Sequence, residues 1–377
     1  MNAPLDFFSL TRTDLERVLE ERFALPVFRA TQLFEWVYKR RVQDFGLMSN
    51  IAKGLRAQLS EGFVFPAIET RERQLSADGT RKYLFAVADG DLVETVMIKQ
   101  PTRMTLCVSS QVGCAMGCRF CRTATMGLRR QLGVSEIVRQ VLGVIDDAQN
   151  FGDMFQNMVF MGMGEPLHNF EGVTKTLRIL KDGAGLGLSG RKITISSVGL
   201  VPAIEAFGKE GIDVNLAISL NATDNETRDQ IMPINRKYPI ERLLQCLRDY
   251  PLPRRKRITI EYVMLAGVND REEDLKRLPR LLQGIPVKVN LIPYNPNAGL
   301  GFSTPSETTI QRWQREIMRH GVETTVRWSK GKDIDAACGQ LVTESKRQGR
   351  RGLSPIESSA PLVSSEGRAT ELPVSAL

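Results

Sequence analysis

The sequence predicts an α/β fold in which parallel strands alternate with crossover helices, preceded by a small helical domain and a β-hairpin. Three observations predict it. From residue 104 to about 340, strand-like apolar runs recur ("MTLCVSS", "MVFMGM", "KITISSVG", "VNLAISL", "RITIEYVML", "VKVNLIPYN", "ETTVRWS") with helix-like segments between them, the pattern of parallel strands joined by helices. Residues 1–66 instead carry apolar side chains at helical spacing. Between the two, residues 67–103 change to a period of two around an Asp-Gly turn.

In chain order, "TDLERVLEERF" and "RATQLFEWVYKR" read as amphipathic helices, with Leu33, Phe34, Trp36 and Val37 on the core side. Lys39, Arg40 and Arg41 follow as candidates for phosphate contact, against the alternative of a solvated helix face. "KYLFAVADGDLVETVMI" reads as two strands about Asp89–Gly90, and Asp78–Gly79 marks another turn. In "VSEIVRQVLGVIDDAQ", Ser135 is the expected N-cap, and Ile137, Val138, Val141, Leu142 and Ile145 share one face. The strand–helix units of 104–343 close into a full or partial barrel or form an open sheet. In either case ligands gather at the C-terminal strand ends. Residues 344–377, rich in Ser, Pro, Gly and Arg without apolar periodicity, read as a disordered tail.

The composition is that of a globular protein, with 42% hydrophobic and 25% charged residues. No apolar run approaches the roughly 18 residues of a membrane helix, and no signal core opens the chain. A cytoplasmic protein without a membrane partner is expected. A net charge of +8 favours acidic partners, nucleic acid above all. Six cysteines in a reducing compartment point to metal binding or chemistry rather than structural disulfides.

Three of the six lie within "GCAMGCRFC", as Cys114, Cys118 and Cys121. Structural zinc takes four ligands, usually from two short pairs, and this chain has only His168 and His320 to add. A distant fourth ligand keeps zinc open. A [4Fe–4S] cluster on three thiolates leaves one iron free for a ligand, which accounts for three cysteines rather than four. Glycines around them let the backbone wrap the cluster, and Arg119 and Arg122 offset its negative charge.

Further candidates sit at strand ends. "FMGMGEP" combines close backbone approach at Gly164 with a carboxylate, Glu165, for a cation. Ser196, Ser219, Asn221 and Asn295 each follow an apolar strand, and singly each would pass for a cap or turn residue. Cys246 reads as helix core. Cys107 lies within the first strand of the alternating region, seven residues before Cys114, and Cys338 lies in the Gly- and Asp-rich "GKDIDAACGQL". A buried inert thiol is the plain reading of both.

The C-x3-C-x2-C spacing resembles the radical S-adenosylmethionine (SAM) superfamily. "CVSSQVGCAMGCRFC", "FMGMGEPLHN", "ITISSVGLVPAI", "IMPIN", "VMLAGVND" and "DIDAACGQL", together and in order, resemble the radical-SAM adenine-C2 methyltransferases of 23S ribosomal RNA, the RlmN family. The likeness spans about residues 5–343. It implies a partial (β/α)6 radical-SAM barrel, a [4Fe–4S] cluster on Cys114, Cys118 and Cys121, and two SAM molecules per turnover. It implies SAM contacts at Gly164, Glu165, Ser196, Ser219, Leu220, Asn221 and Asn295. Cys338 would carry a methyl group to the adenine and Cys107 would resolve the covalent RNA adduct through a disulfide. Glu94 would accept a proton. The implied partners are 23S rRNA before full ribosome assembly, certain tRNAs at the adenine beside the anticodon, and an electron donor such as flavodoxin, with the enzyme a monomer. The same resemblance extends to the Cfr type, which methylates C8 of the same adenine. More remote readings are a radical-SAM activating enzyme acting on a protein and a non-catalytic zinc RNA-binding module. One departure stands out: the family commonly reads "SLHA" where this chain has "SLNA" at 219–222. Asparagine keeps hydrogen-bonding capacity but cannot shuttle a proton.

Overall fold

In the computed structural model, which describes residues 3–297 and 299–343, ten strands form one sheet whose spatial order is also their chain order. They are β1 (Glu69–Leu75), β2 (Arg81–Ala86), β3 (Leu92–Gln100), β4 (Arg103–Cys107), β5 (Asn157–Phe160), β6 (Ile193–Ser197), β7 (Asn215–Ser219), β8 (Ile258–Met264), β9 (Val287–Pro293) and β10 (Thr324–Val326). From β1 to β4 neighbours pair antiparallel, and from β4 to β10 parallel. Parallel strands that advance without reversing order are what a barrel requires, and β10 does not pair back onto β4, so the barrel is partial. The seven strand-like runs of the sequence are the seven parallel strands. The tail expected at 344–377 lies outside the described residues.

Two expectations need correction. The 67–103 region holds three strands, not two. β1, "ETRERQL", is an almost wholly exposed edge strand whose charges erase the alternation that reveals strands. The helix of 134–149 is not capped by Ser135. It is entered through Gly133, whose N–H donates to Glu136 Oε2 at 2.8 Å, and Ser135 lies inside the first turn. The Asp89–Gly90 turn is as expected: both residues have positive φ, 68° and 73°, as a tight hairpin demands.

Helices cover the sheet: α4 (Val134–Gln149), α5 (Phe170–Lys181), α6 (Val201–Lys209), α7 (Asn225–Ile231), α8 (Ile240–Asp249), α9 (Glu272–Leu281) and α10 (Glu307–Arg319) follow α1 (Arg12–Phe23), α2 (Phe28–Phe34) and α3 (Lys53–Gly62). α4 presents Ile137 and Val141 to the main core, while Val138 and Leu142 join Phe7, Phe8, Leu33, Phe34 and Val37 in a second core under the N-terminal helices. Cys246 is buried in the main core. Among the N-terminal cations, Arg41 is spent on Asp146 at 2.6 Å, and Arg40 lies over the Trp36 ring. A small third cluster lies at the C-terminal strand ends, where Cys118 and Phe120 pack against Met232, Leu265 and Tyr294. It seats the cysteine loop on the barrel rim. Among the described residues no helix is long and apolar enough to cross a membrane.

Candidate active site

The cysteine loop leaves β4 through a short strand, Gln111–Gly113, that pairs with Leu128–Gln131. Gly113 has φ 78°, and a Cβ there would stand 1.8 Å from the Gly127 carbonyl oxygen, so glycine is required where the chain turns into Cys114. That carbonyl accepts the Cys114 N–H at 2.9 Å, and Cys121 N–H donates to Cys118 at 3.1 Å. All three thiols line one cavity with Gly164, Glu165, Ser196, Ser219, Asn221, Asn295 and Cys338.

Burial raises the proton affinity of each thiol: Cys114 is pushed to about 12, Cys118 well above the usual thiol value and Cys121 upward. For Cys118 the next cause is the other two cysteines, since neighbouring negative charge opposes its ionisation. A cationic metal centre relieves both penalties at once. Among the described residues no three His, Cys, Asp or Glu side chains converge as ligands of a single ion. Three thiols around one cavity, each free to take a separate iron, fit a cluster better than one zinc ion.

Glu165 lies at the cavity wall, 2% exposed, and accepts N–H bonds from Leu167 at 3.2 Å and Val198 at 2.9 Å. Burial outweighs those bonds and raises its pKa to about 7. Before it, Gly164 has φ 103°, and a Cβ there would stand 2.5 Å from the Gln111 side chain. That contact matters because Gln111 Oε1 accepts the Glu165 N–H at 2.8 Å. Asn295 donates to the Cys338 carbonyl at 3.1 Å, while its Oδ1 and the nearby Tyr294 hydroxyl are buried at the same cavity with no protein partner. Ser196 and Ser219 face the cavity from β6 and β7. Leu220 does not line it: its side chain is core, its N–H donates to Glu261 O at 3.0 Å, and its carbonyl accepts from Arg228 at 2.9 Å.

The Cys338 segment closes the cavity. Arg122 N–H donates to Gly339 O at 2.8 Å, Thr123 Oγ1 donates to Leu341 O at 2.6 Å, and Val342 N–H donates to Glu94 Oε2 at 2.8 Å. Glu94 is also paired with Lys82 at 3.0 Å and does not line the cavity. Burial raises its pKa, against the pull of Lys82. Cys107, at the end of β4, is buried, and its thiol is pushed to about 12, first by burial and then by Cys338. Both cysteines are free thiols.

Three charged residues at this site are not among the candidates read from the sequence. Arg228, wholly buried on α7, donates to the carbonyls of Val198 (2.8 Å), Ser219 (3.2 Å) and Leu220 (2.9 Å) and to Asn235 Oδ1 (3.0 Å). It ties the ends of β6 and β7 together under the cavity. Glu261 on β8 and Arg327 after β10 face each other inside the barrel. The alternation of polar residues on one face of "KITISS", "NLAIS" and "ITIEYVM" was the available signal for a polar interior.

Residues 108–278 match the radical SAM superfamily model, and residues 5–64 match that of the ribosomal RNA large subunit methyltransferase N-terminal domain. The chain is 48% identical over 341 residues to the dual-specificity RNA methyltransferase RlmN of Pelobacter propionicus, covering 90% of this chain and 96% of that protein. It is 45% identical over 360 residues to that of Gluconobacter oxydans, covering 93% and 88%. Among solved structures, a radical SAM methyltransferase from Sphaerobacter thermophilus matches with a TM-score of 0.83 at 41% identity, covering 90% of this chain and 99% of that one.

Proposed function

Because the chain belongs to the RlmN family of radical-SAM RNA methyltransferases, we propose that it methylates C2 of an adenine through a methyl group carried on Cys338. The enzyme is a SAM-dependent methyltransferase of ribosomal and transfer RNA adenines, with a [4Fe–4S] cluster and two SAM molecules per turnover. The proposed targets are the peptidyl-transferase-centre adenine of 23S rRNA and, in some tRNAs, the adenine beside the anticodon. When bound, cluster and SAM supply a 5′-deoxyadenosyl radical, the chemistry that an unactivated and electron-poor C2–H requires.

The chain's own residues divide the remaining work. Cys114, Cys118 and Cys121 would hold the cluster. Gly164 and Glu165 would take the SAM amino group, a role supported by a buried carboxylate that lacks a protein cation. Ser196, Ser219, Leu220, Asn221 and Asn295 would frame the nucleoside, Leu220 through the strand end it sets. Cys338 would present the carbon that reaches the adenine, and Cys107 would release the product by closing a disulfide with it. Glu94 is the proposed proton acceptor; its bond to Val342, four residues beyond Cys338, supports a position at the edge of the reaction. We further propose a cytoplasmic monomer served by a flavodoxin-like electron donor, acting on 23S rRNA before the ribosome is complete.

The observation that carries the proposal is Cys338 on the wall of the cavity that the three clustered cysteines line. The test is reconstitution with iron and sulfide without oxygen, then SAM with a labelled methyl group. Label is expected on the Cys338 peptide and, after RNA digestion, in 2-methyladenosine. An unlabelled Cys338 with an intact cluster would end the carrier role. Label in 8-methyladenosine would move the assignment to the Cfr type.

A further inference from the structure

Inward-facing positions of a closed parallel barrel are usually filled by apolar side chains. Here the first inward-facing position of each of five strands is polar. Asn157, Thr194, Asn215, Thr259 and Lys288 open β5 to β9 on the inner face, and they line a cavity of about 830 Å³ at the strands' N-terminal ends. Six cations line it (Arg103, Arg191, Lys192, Lys288, Arg327, Lys330), against a single carboxylate, Glu261. Only Arg327 of the six comes within 4.0 Å of a carboxylate among the described residues. A mouth with this surplus of positive charge suits a phosphate backbone. Met161 and Glu261 line both this cavity and the one that holds the cysteines.

Glu261 is 6% exposed, and its Oε1 has no hydrogen-bond partner. Arg327 Nη1 stands 3.8 Å away, too far for a hydrogen bond, and touches the Met161 sulfur at 3.3 Å. Arg327 also shares a small cavity with Cys338. A buried carboxylate oxygen left open beside an incompletely used guanidinium costs stability, so the pair is built for a third party.

We propose that Glu261 and Arg327 read the Watson–Crick edge of the target adenine: Glu261 accepts a hydrogen bond from the 6-amino group and Arg327 donates one to N1. This rests on the adenine-methylating reading and deepens it. N1 lies between C6 and C2, so a base held at N6 and N1 turns C2 to the guanidinium side, where Cys338 lies. Guanine is refused twice. Its O6 would face the carboxylate and its N1–H would face the guanidinium, with no acceptor for either donor. The base must leave its stack to arrive here, entering from the basic mouth while the backbone stays outside.

The test is a four-way comparison of a 23S rRNA fragment carrying adenosine or purine ribonucleoside at the target, with wild-type enzyme and Glu261→Gln. Purine keeps C2–H and N1 but lacks the 6-amino group. Wild-type enzyme should lose about 10- to 100-fold in kcat/KM on purine, the value of one charge-assisted hydrogen bond. Glu261→Gln, with the interaction already weakened, should lose less than about threefold, and the comparison cancels any intrinsic difference in C2 reactivity. Where the variant turns over too slowly, equilibrium binding of the two RNAs gives the same ratios. Equal penalties in both enzymes, or no penalty in wild type, would overturn the proposal. A raised KM for SAM with the purine penalty intact would put Glu261 on the cofactor and overturn it too. If wild-type enzyme leaves adenosine RNA unmethylated, the adenine reading itself fails, and that outcome is distinct from the others.

Discussion

On its proposed role at the SAM amino group, Glu165 makes SAM binding depend on pH in a calculable way. Its carboxyl is neutral in the free protein up to a pKa of about 7, because burial opposes the charge. Pairing with the SAM ammonium requires the carboxylate, so binding below pH 7 must expel a proton. The sign follows: affinity rises with pH until the free protein's carboxyl is itself ionised, and then levels. With a bound-state pKa well below 6, the protonation ratio gives about a tenfold gain in affinity between pH 6 and pH 8. At pH 6 about 0.9 proton should be released per SAM, and at pH 8 about 0.1. Titration calorimetry of the cluster-loaded enzyme, in buffers of different ionisation enthalpy, counts those protons directly. Glu165→Gln should abolish the slope and weaken SAM binding at pH 8 by about 10- to 100-fold, the worth of a charge-assisted bond. A flat profile in wild type, or the same slope in Glu165→Gln, would refute the reasoning.

Three further outcomes follow from contacts at the same rim. Cys107→Ala should leave the RNA attached to Cys338, visible as a slow band on a denaturing gel; normal turnover without that band would remove Cys107 from product release. Arg228→Met should destabilise the protein by about 3–5 kcal/mol in urea unfolding, because two buried acceptors (Leu220 O and Asn235 Oδ1) and two half-buried ones (Val198 O and Ser219 O) lose their donor. A change below about 1 kcal/mol would show that the carbonyls find other donors. Gly164→Ala should weaken SAM binding at least about tenfold, since the new methyl displaces Gln111 from the Glu165 N–H at a φ that alanine resists. Unchanged affinity would mean that Gln111 has no part in fixing Glu165.

Much of the fold was legible because the seven parallel strands are apolar runs bounded by polar turns, and burial on both faces writes that pattern into a sequence. β1 was not legible, since an exposed edge strand has no face to hide and charge serves it better. Ser135 misled because a local capping preference was read without Glu136, whose carboxylate reaches back to Gly133. At the site, the legible residues are those whose side-chain chemistry is rare or whose backbone demand is severe. Three thiols in eight positions and a glycine before a glutamate are examples. Arg228, Glu261 and Arg327 are common residue types, and their meaning comes from where register brings them: three carbonyls at two strand ends for one, the barrel interior for the others.

The same distinction resolves the asparagine in "SLNA". Asn221 is buried at φ 58°, a left-handed conformation that asparagine and histidine adopt more readily than most residues. Its Oδ1 accepts the Val263 N–H at 2.8 Å and its backbone carbonyl accepts from Asn269 at 2.7 Å, while its amide nitrogen meets only the Met232 sulfur. The position therefore asks for two things: tolerance of positive φ where β7 ends, and an acceptor that ties that end to β8. A neutral histidine tolerates that φ and accepts through one ring nitrogen, and asparagine tolerates it and accepts through its side-chain carbonyl. Proton transfer is not among the demands that the geometry makes here. Asparagine thus preserves the joint that holds two strand ends at the cavity wall, and what differs from histidine is only the side-chain surface that this position lends to the cavity lining.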